Sequence, residues 1–274
     1  MSKFKKISLF LVIMLAVAAV YPFFNFKSDK NVSVASDEIR VTKGAEVKHP
    51  ALGSGFITWI EYREGNYNLY WRDLITQKES KVTTQPISSD AVGPVAFQNY
   101  IFLVDHTVDG WNIWQFDVEH NTSKILIKEN KVVQSLFAYE NYLVYEAKSG
   151  ESTDIFLLNR NAIKADDLVR NISNDSTYQK APVMFGNLVA WTEFLPSSNN
   201  SGIYDFSFGR VVTYDVVSGV KTIIKDKVAD LSNVQMNNWA LTWSELEGST
   251  KVVKVYGYTT GTSFNVSSGD YQMN

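Results

Sequence analysis

Four carboxylates stand at one recurring place in this chain. Glu61, Asp105, Glu193 and Glu245 each lie two residues beyond an anchor: Trp59, Leu103, Trp191 and Trp243. A fifth anchor, Tyr145, is followed at that offset by Ala147. Residues two apart on a strand share a face, so each acid projects beside its anchor. Acids repeated on one face can hold a hard cation such as Ca²⁺ through oxygen ligands, or meet a basic partner. The competing reading is that each acid satisfies local backbone donors or pairs with a nearby Lys or Arg. It would then recur only because the repeat recurs.

Other chemistry is sparse. His49, His106 and His120 are scattered, and only His106, beside Asp105, falls near the acids. No nucleophile–base constellation is visible, so no catalytic residue is assigned and an enzyme is not the expected class. With no cysteine, disulfides, thiol catalysis and thiolate metal ligation are excluded. A net charge of −3 argues against nucleic acid, which calls for a basic face. No cofactor is implied beyond the Ca²⁺ reading. Residues 195–209 form the one sizeable insertion. It opens on a flexible Pro-Ser-Ser-Asn-Asn-Ser-Gly run and closes on alternating aromatics that include Tyr204 and Phe206. Aromatics beside acids suit a carbohydrate or peptide ligand. Alternatively they pack back on the domain as an extended hairpin. Trp111 begins the corresponding strand of another repeat and can join the same surface.

The elements that must carry these residues are strands. The anchors follow one another at spacings of 44, 42, 46 and 52 residues. Nine positions before each stands Pro50, Pro94, Leu136, Pro182 or Val234. The runs ending on the anchors are short, β-branched or aromatic, and bounded by Gly or Asn, which reads as strand. A second strand in each repeat closes on Asp73, Asp117, Asn159, Asp215 or Tyr258. Asp and Asn there mark hairpin turns, because their side chains bond the nearby backbone. A third strand returns, and a segment around the proline column makes four. Four antiparallel strands repeated at this period predict a β-propeller, an all-β fold of five four-stranded blades. These columns resemble the blade repeat of TolB-like propellers over residues 38–274. The resemblance implies a platform for binding proteins or ligands. The Ser-Pro-Asp-Gly turn of many such blades is absent. Residues 38–42 read as an outer strand, and residues 270–274 resemble the run into the fourth repeat. Closure of a five-bladed ring is expected.

An uncharged apolar stretch begins at Ile7 and ends at Phe26, after Lys3, Lys5 and Lys6. As a helix its roughly 20 residues would span about 30 Å, one bilayer core. The basic flank predicts an N-inside orientation. A cleaved signal peptide with Ala16-Val17-Ala18 as its small-residue site is the alternative. The expected organisation is an anchor or signal over 1–27, a linker over 28–37 and the propeller over 38–274. The expected protein is a single-pass, membrane-tethered, extracytoplasmic binding module for a protein, peptide or glycan. A glycan-active hydrolase of the five-bladed type, or a structural cell-envelope protein, are the alternatives.

Overall fold

A computed structural model describes residues 40–44, 46–197 and 204–266. The expected N-terminal helix, the linker and the run at 270–274 lie outside the described residues. Among those described, no helix is long and apolar enough to cross a membrane.

Twenty strands fall into five four-stranded sheets, one per repeat, each with its strands in chain order. Sheet one holds β1 Glu46–Leu52, β2 Phe56–Arg63, β3 Asn66–Asp73 and β4 Glu79–Lys81. Sheet two holds β5 Val92–Phe97, β6 Tyr100–Thr107, β7 Gly110–Asp117 and β8 Thr122–Glu129. Sheet three holds β9 Val132–Tyr139, β10 Tyr142–Ser149, β11 Ser152–Asn159 and β12 Val169–Asn171. Sheet four holds β13 Tyr178–Phe185, β14 Leu188–Pro196, β15 Tyr204–Asp215 and β16 Lys221–Ala229. Sheet five holds β17 Ser232–Met236, β18 Ala240–Glu247, β19 Thr250–Gly257 and β20 Thr262–Asn265. Every pairing is antiparallel, and each anchor lies on the second strand of its sheet.

The proline column has a backbone cause. In four sheets the first strand carries a bulge, where the register slips between Lys48 and Ala51, Val92 and Val95, Lys180 and Val183, and Ser232 and Gln235. Each bulge opens on a left-handed residue: His49, Gly93, Ala181 or Asn233. The next residue is Pro50, Pro94, Pro182 or Val234. A bulged residue leaves the ladder, so proline's missing N–H costs little there. Sheet three differs. Its slip falls one step earlier in the strand, and Leu136 pairs directly with Tyr145. That place calls for a residue with a backbone donor.

The core sits between sheets, in four clusters. Leu103 packs among sheets one and two, and Tyr145 among two and three. Trp191 packs among three and four, and Trp243 among four and five. Each of these anchors therefore faces the sheet before its own. Trp59 is also fully buried, but no comparable cluster joins sheet five to sheet one among the described residues. Of the expected outer strand at 38–42 only residues 40–42 are among those described, and they form no strand. Sheet five keeps four strands of its own.

Ala181 holds φ at +51° with no glycine to ease it. A left-handed L-residue costs roughly 1–2 kcal/mol, and glycine returns part of that in unfolded-chain entropy. Ala181→Gly is therefore expected to stabilise the domain by about 0.5–1 kcal/mol. Urea unfolding of the two proteins measures it.

Candidate functional site

The acids do not stand as a free ring. Glu61, Glu193 and Glu245 are buried, with 0%, 1% and 6% of their surface exposed. Each accepts the indole N–H of its own anchor: Trp59 at 2.7 Å, Trp191 at 3.1 Å and Trp243 at 2.5 Å. Each also meets a cation. Arg63 pairs with Glu61, Lys221 with Glu193, and Lys254 with Glu245 at 3.5 Å. Glu61 further accepts the amides of Lys43, at 2.8 Å, and Gly44. The approach is so close that a Cβ on Gly44 would lie 2.6 Å from a Glu61 oxygen. Burial pulls the Lys221 ammonium down, but Asp175 and Glu193 outweigh it, and its pKa ends above the ordinary value.

Sheet three solves the same problem by another route. Ala147 leaves Tyr145 without an acid two residues on, and Glu129, at the end of β8, supplies one. The Tyr145 hydroxyl donates to it at 3.0 Å, and Lys131 pairs with it at 3.3 Å. Burial first, and Glu129 second, push the Tyr145 hydroxyl pKa up. The sequence carried a signal for this: the anchor changes from Trp to Tyr in the repeat where the following acid disappears.

Asp105 is the exception. It is half-buried, follows Leu103, and accepts the Ser88 amide at 2.9 Å. Beside it opens a cavity of about 210 Å³ lined by Leu103, Asp105, Trp114, Phe116, Ser123 and the segment from Val82 to Ile87. Among the described residues, no three His, Cys, Asp or Glu side chains group closely enough to hold a metal ion.

The aromatic insertion is an extended hairpin: β15 reaches back to Tyr204, which pairs with Pro196. Tyr204 and Phe206 pack on Tyr178 of β13, at 5.1 and 5.3 Å between ring centres, and Phe206 also meets Phe194 at 5.0 Å. Phe206 remains 49% exposed and Phe208 53%. The Lys180 ammonium lies 5.3 Å from the Tyr178 ring and 5.2 Å from Phe206. Trp111 does not join this shelf. It is buried among sheets two and three, with His106 stacked on it at 4.7 Å. A residue near the start of a strand looks exposed in sequence, but Trp111, the second residue of β7, faces the next sheet.

Close to the shelf lies Glu146, which the repeat did not single out because it falls between columns. It accepts the Ser135 hydroxyl at 3.1 Å and the Ala181 amide at 3.0 Å. Burial raises its pKa, and these two donors with the Lys180 charge only partly offset that. The Asp and Asn column behaves as expected of turn residues. Asp73, Asp117, Asn159 and Asp215 each accept backbone N–H groups two or three residues on. A cleft of about 430 Å³, lined by Asn161, Lys164 and Arg170 among others, lies by that turn in sheet three, away from the acids.

This arrangement of sheets has solved counterparts. TolB from Acinetobacter baumannii superposes with a TM-score of 0.53 at 13% identity, over 80% of this chain and 54% of that one. A putative TolB from Agrobacterium tumefaciens gives 0.54 at 10%, over 80% of both chains. The β-propeller domain of the Trilobed protease from Pyrococcus furiosus gives 0.58 at 12%, over 82% of this chain and 71% of that one. The fold is that of a TolB-like β-propeller. Identities this low speak for the fold alone. This chain spans about half the length of the Acinetobacter TolB and 27% of the tricorn protease, another counterpart. No protein-family model matches the sequence, and no curated protein matches it.

Because the folded Glu146 carboxyl has a raised pKa, its ionised form burdens the folded state at neutral pH. That burden disappears as pH falls through the raised value, above the ordinary 4.5. Glu146→Gln keeps an acceptor for both donors and removes the charge. It is expected to stabilise the protein at pH 7.5, with the gain shrinking as pH approaches 4.5. Denaturant midpoints across that range check the sign.

Proposed function

We propose that this chain is a membrane-tethered, extracytoplasmic β-propeller that binds a protein, peptide or glycan partner. The binding surface is the face carrying the turns between second and third strands. The observation that carries this reading is the shelf on sheet four. Two large aromatic side chains, Phe206 and Phe208, are about half exposed, beside a lysine lying over aromatic rings. Exposed aromatics cost solubility, and a cluster of them marks a contact surface. Rigid rings with few rotamers lose little entropy when a ligand stacks on them. Glu61, Glu193 and Glu245 serve this surface from beneath, by fixing the strand ends that carry it. The TolB-like fold is compatible with such a platform, and the apolar stretch from Ile7 to Phe26 supplies the tether.

Tyr204→Ala combined with Phe206→Ala is expected to weaken capture of a partner from envelope extract or a glycan array by tenfold or more. Glu193→Gln alone should act mainly on stability. Unchanged capture by the double variant would remove the shelf from the reading. Topology is checked separately. The chain has no cysteine, and Val108 is fully exposed on the turn after β6. A Val108→Cys chain in intact cells is expected to react with a membrane-impermeant maleimide. Labelling only after lysis would place the propeller inside.

A further inference from the structure

Sheet two lacks parts that its neighbours possess, and the lack has a shape. In sheets one and three the anchor ring stacks on its cross-strand partner. Trp59 lies on Tyr70 at 6.2 Å and 22°, and Tyr145 on Phe156 at 5.2 Å and 16°. In sheet two the cross-strand pair is Leu103 and Trp114. A leucine carries no ring to stack across the strands, and the indole instead lies against Phe116 of its own strand at 6.0 Å and 17°. The carboxylates tell the same story. Glu61, Glu129, Glu193 and Glu245 each take a donor from an aromatic anchor and a cation within 3.5 Å. Among the described residues Asp105 has neither, and its side chain accepts only the Ser88 amide. Among the described residues no cation lies over Trp114, whereas Arg63 covers Tyr70 at 4.1 Å and Lys131 covers Phe156 at 4.9 Å. The cavity of about 210 Å³ opens where these parts are missing, with Leu103, Asp105 and Trp114 in its wall. Exposed Thr84, Gln85 and Pro86 form its rim.

We propose that this slot receives the guanidinium group of an arginine side chain presented by a protein or peptide partner. The plane of the group lies on Trp114 and its N–H groups reach Asp105. Sheet one displays the same chemistry within the chain: the Arg63 guanidinium sits over Tyr70 and donates to Glu61 and, at 2.6 Å, to Glu79. A guanidinium is flat, always charged and carries five donors, so one group supplies the positive charge and the hydrogen bond that sheet two lacks and lays a flat face against the indole. A further acceptor is at hand, since Ser123 lines the cavity; the Thr83 hydroxyl, also in its wall, already accepts the Leu69 amide at 3.3 Å. An ammonium has the charge without the plane, and an indole has the plane without the charge. This inference deepens the binding-platform reading by giving the partner one chemical requirement.

The test uses the full-length chain in mild detergent at low ionic strength. It is titrated by calorimetry with the capped tripeptide Gly-Arg-Gly and its Lys and Trp counterparts, to millimolar concentration. The Arg peptide is expected to bind at least tenfold tighter than either counterpart. Asp105→Asn should weaken it tenfold or more. Leu103→Trp, which installs the anchor of sheets one, four and five, should abolish binding. Equal binding of the Lys peptide, tighter binding of the Trp peptide, no binding of the Arg peptide, or full binding by the Asp105→Asn chain would each overturn the slot. If Leu103→Trp fails to fold, Asp105→Asn and the peptide series still decide. A partner captured through Tyr204 and Phe206 while the Arg peptide fails would sink the slot and leave the platform. Arg-peptide binding without any shelf-dependent partner would do the reverse.

Discussion

The bond between an anchor ring and a buried carboxylate governs how this domain is built. A buried carboxylate costs several kcal/mol unless it is hydrogen-bonded and paired, and a buried indole N–H needs an acceptor. Each group resolves the other's difficulty, and a Lys or Arg at the margin supplies the opposite charge. The aromatic body is then free to fill the space between two sheets. Sheet three shows how firm the requirement is: losing the acid at Ala147 is met by Glu129 from the neighbouring sheet. The acids thus belong to the packing between sheets, and their recurrence follows the recurrence of that packing.

Much of the fold was legible because its causes are local. The anchor runs, the Asp and Asn turns and the third strands depend on neighbouring residues, and each stands within a few positions of its expected place. The proline column was visible too, although its cause, a bulge opened by His49, Gly93, Ala181 or Asn233, was not. The site was harder to read. Offsets of two residues show that Glu61 and Glu193 share a side with their anchors, but not whether that side is wet or dry. Glu129 and Tyr145 are 16 residues apart, and only the approach of two sheets joins them. Trp111 looked like a surface residue for the same reason: the sheet that covers it comes later in the chain. The shelf at Tyr204 and Phe206 was found as a departure from the repeat. Asp105 shares its offset with the other acids, and what sets it apart is the identity of its partners, which sequence spacing does not carry.

Two kinds of polar surface therefore coexist on one face. Paired acids hold the strand ends rigid and present little of themselves to solvent. Departures from the repeat, at Asp105 and along β15, present what the regular positions keep covered. A repeat scaffold gains specificity in this way without altering its core, since substitutions at a single blade leave the other interfaces untouched.

The bulges on the inner strands have a consequence for assembly. β1, β5, β9, β13 and β17 are each the free edge of a sheet, and successive ones lie in contact. Bare edges at such range invite hydrogen bonding into one continuous sheet. In sheets one, two and four a left-handed residue followed by proline removes a donor and turns the backbone aside at mid-strand, and in sheet five Asn233 makes the same turn before Val234. Separate blades, rather than one fused and sticky ribbon, are what those few residues protect.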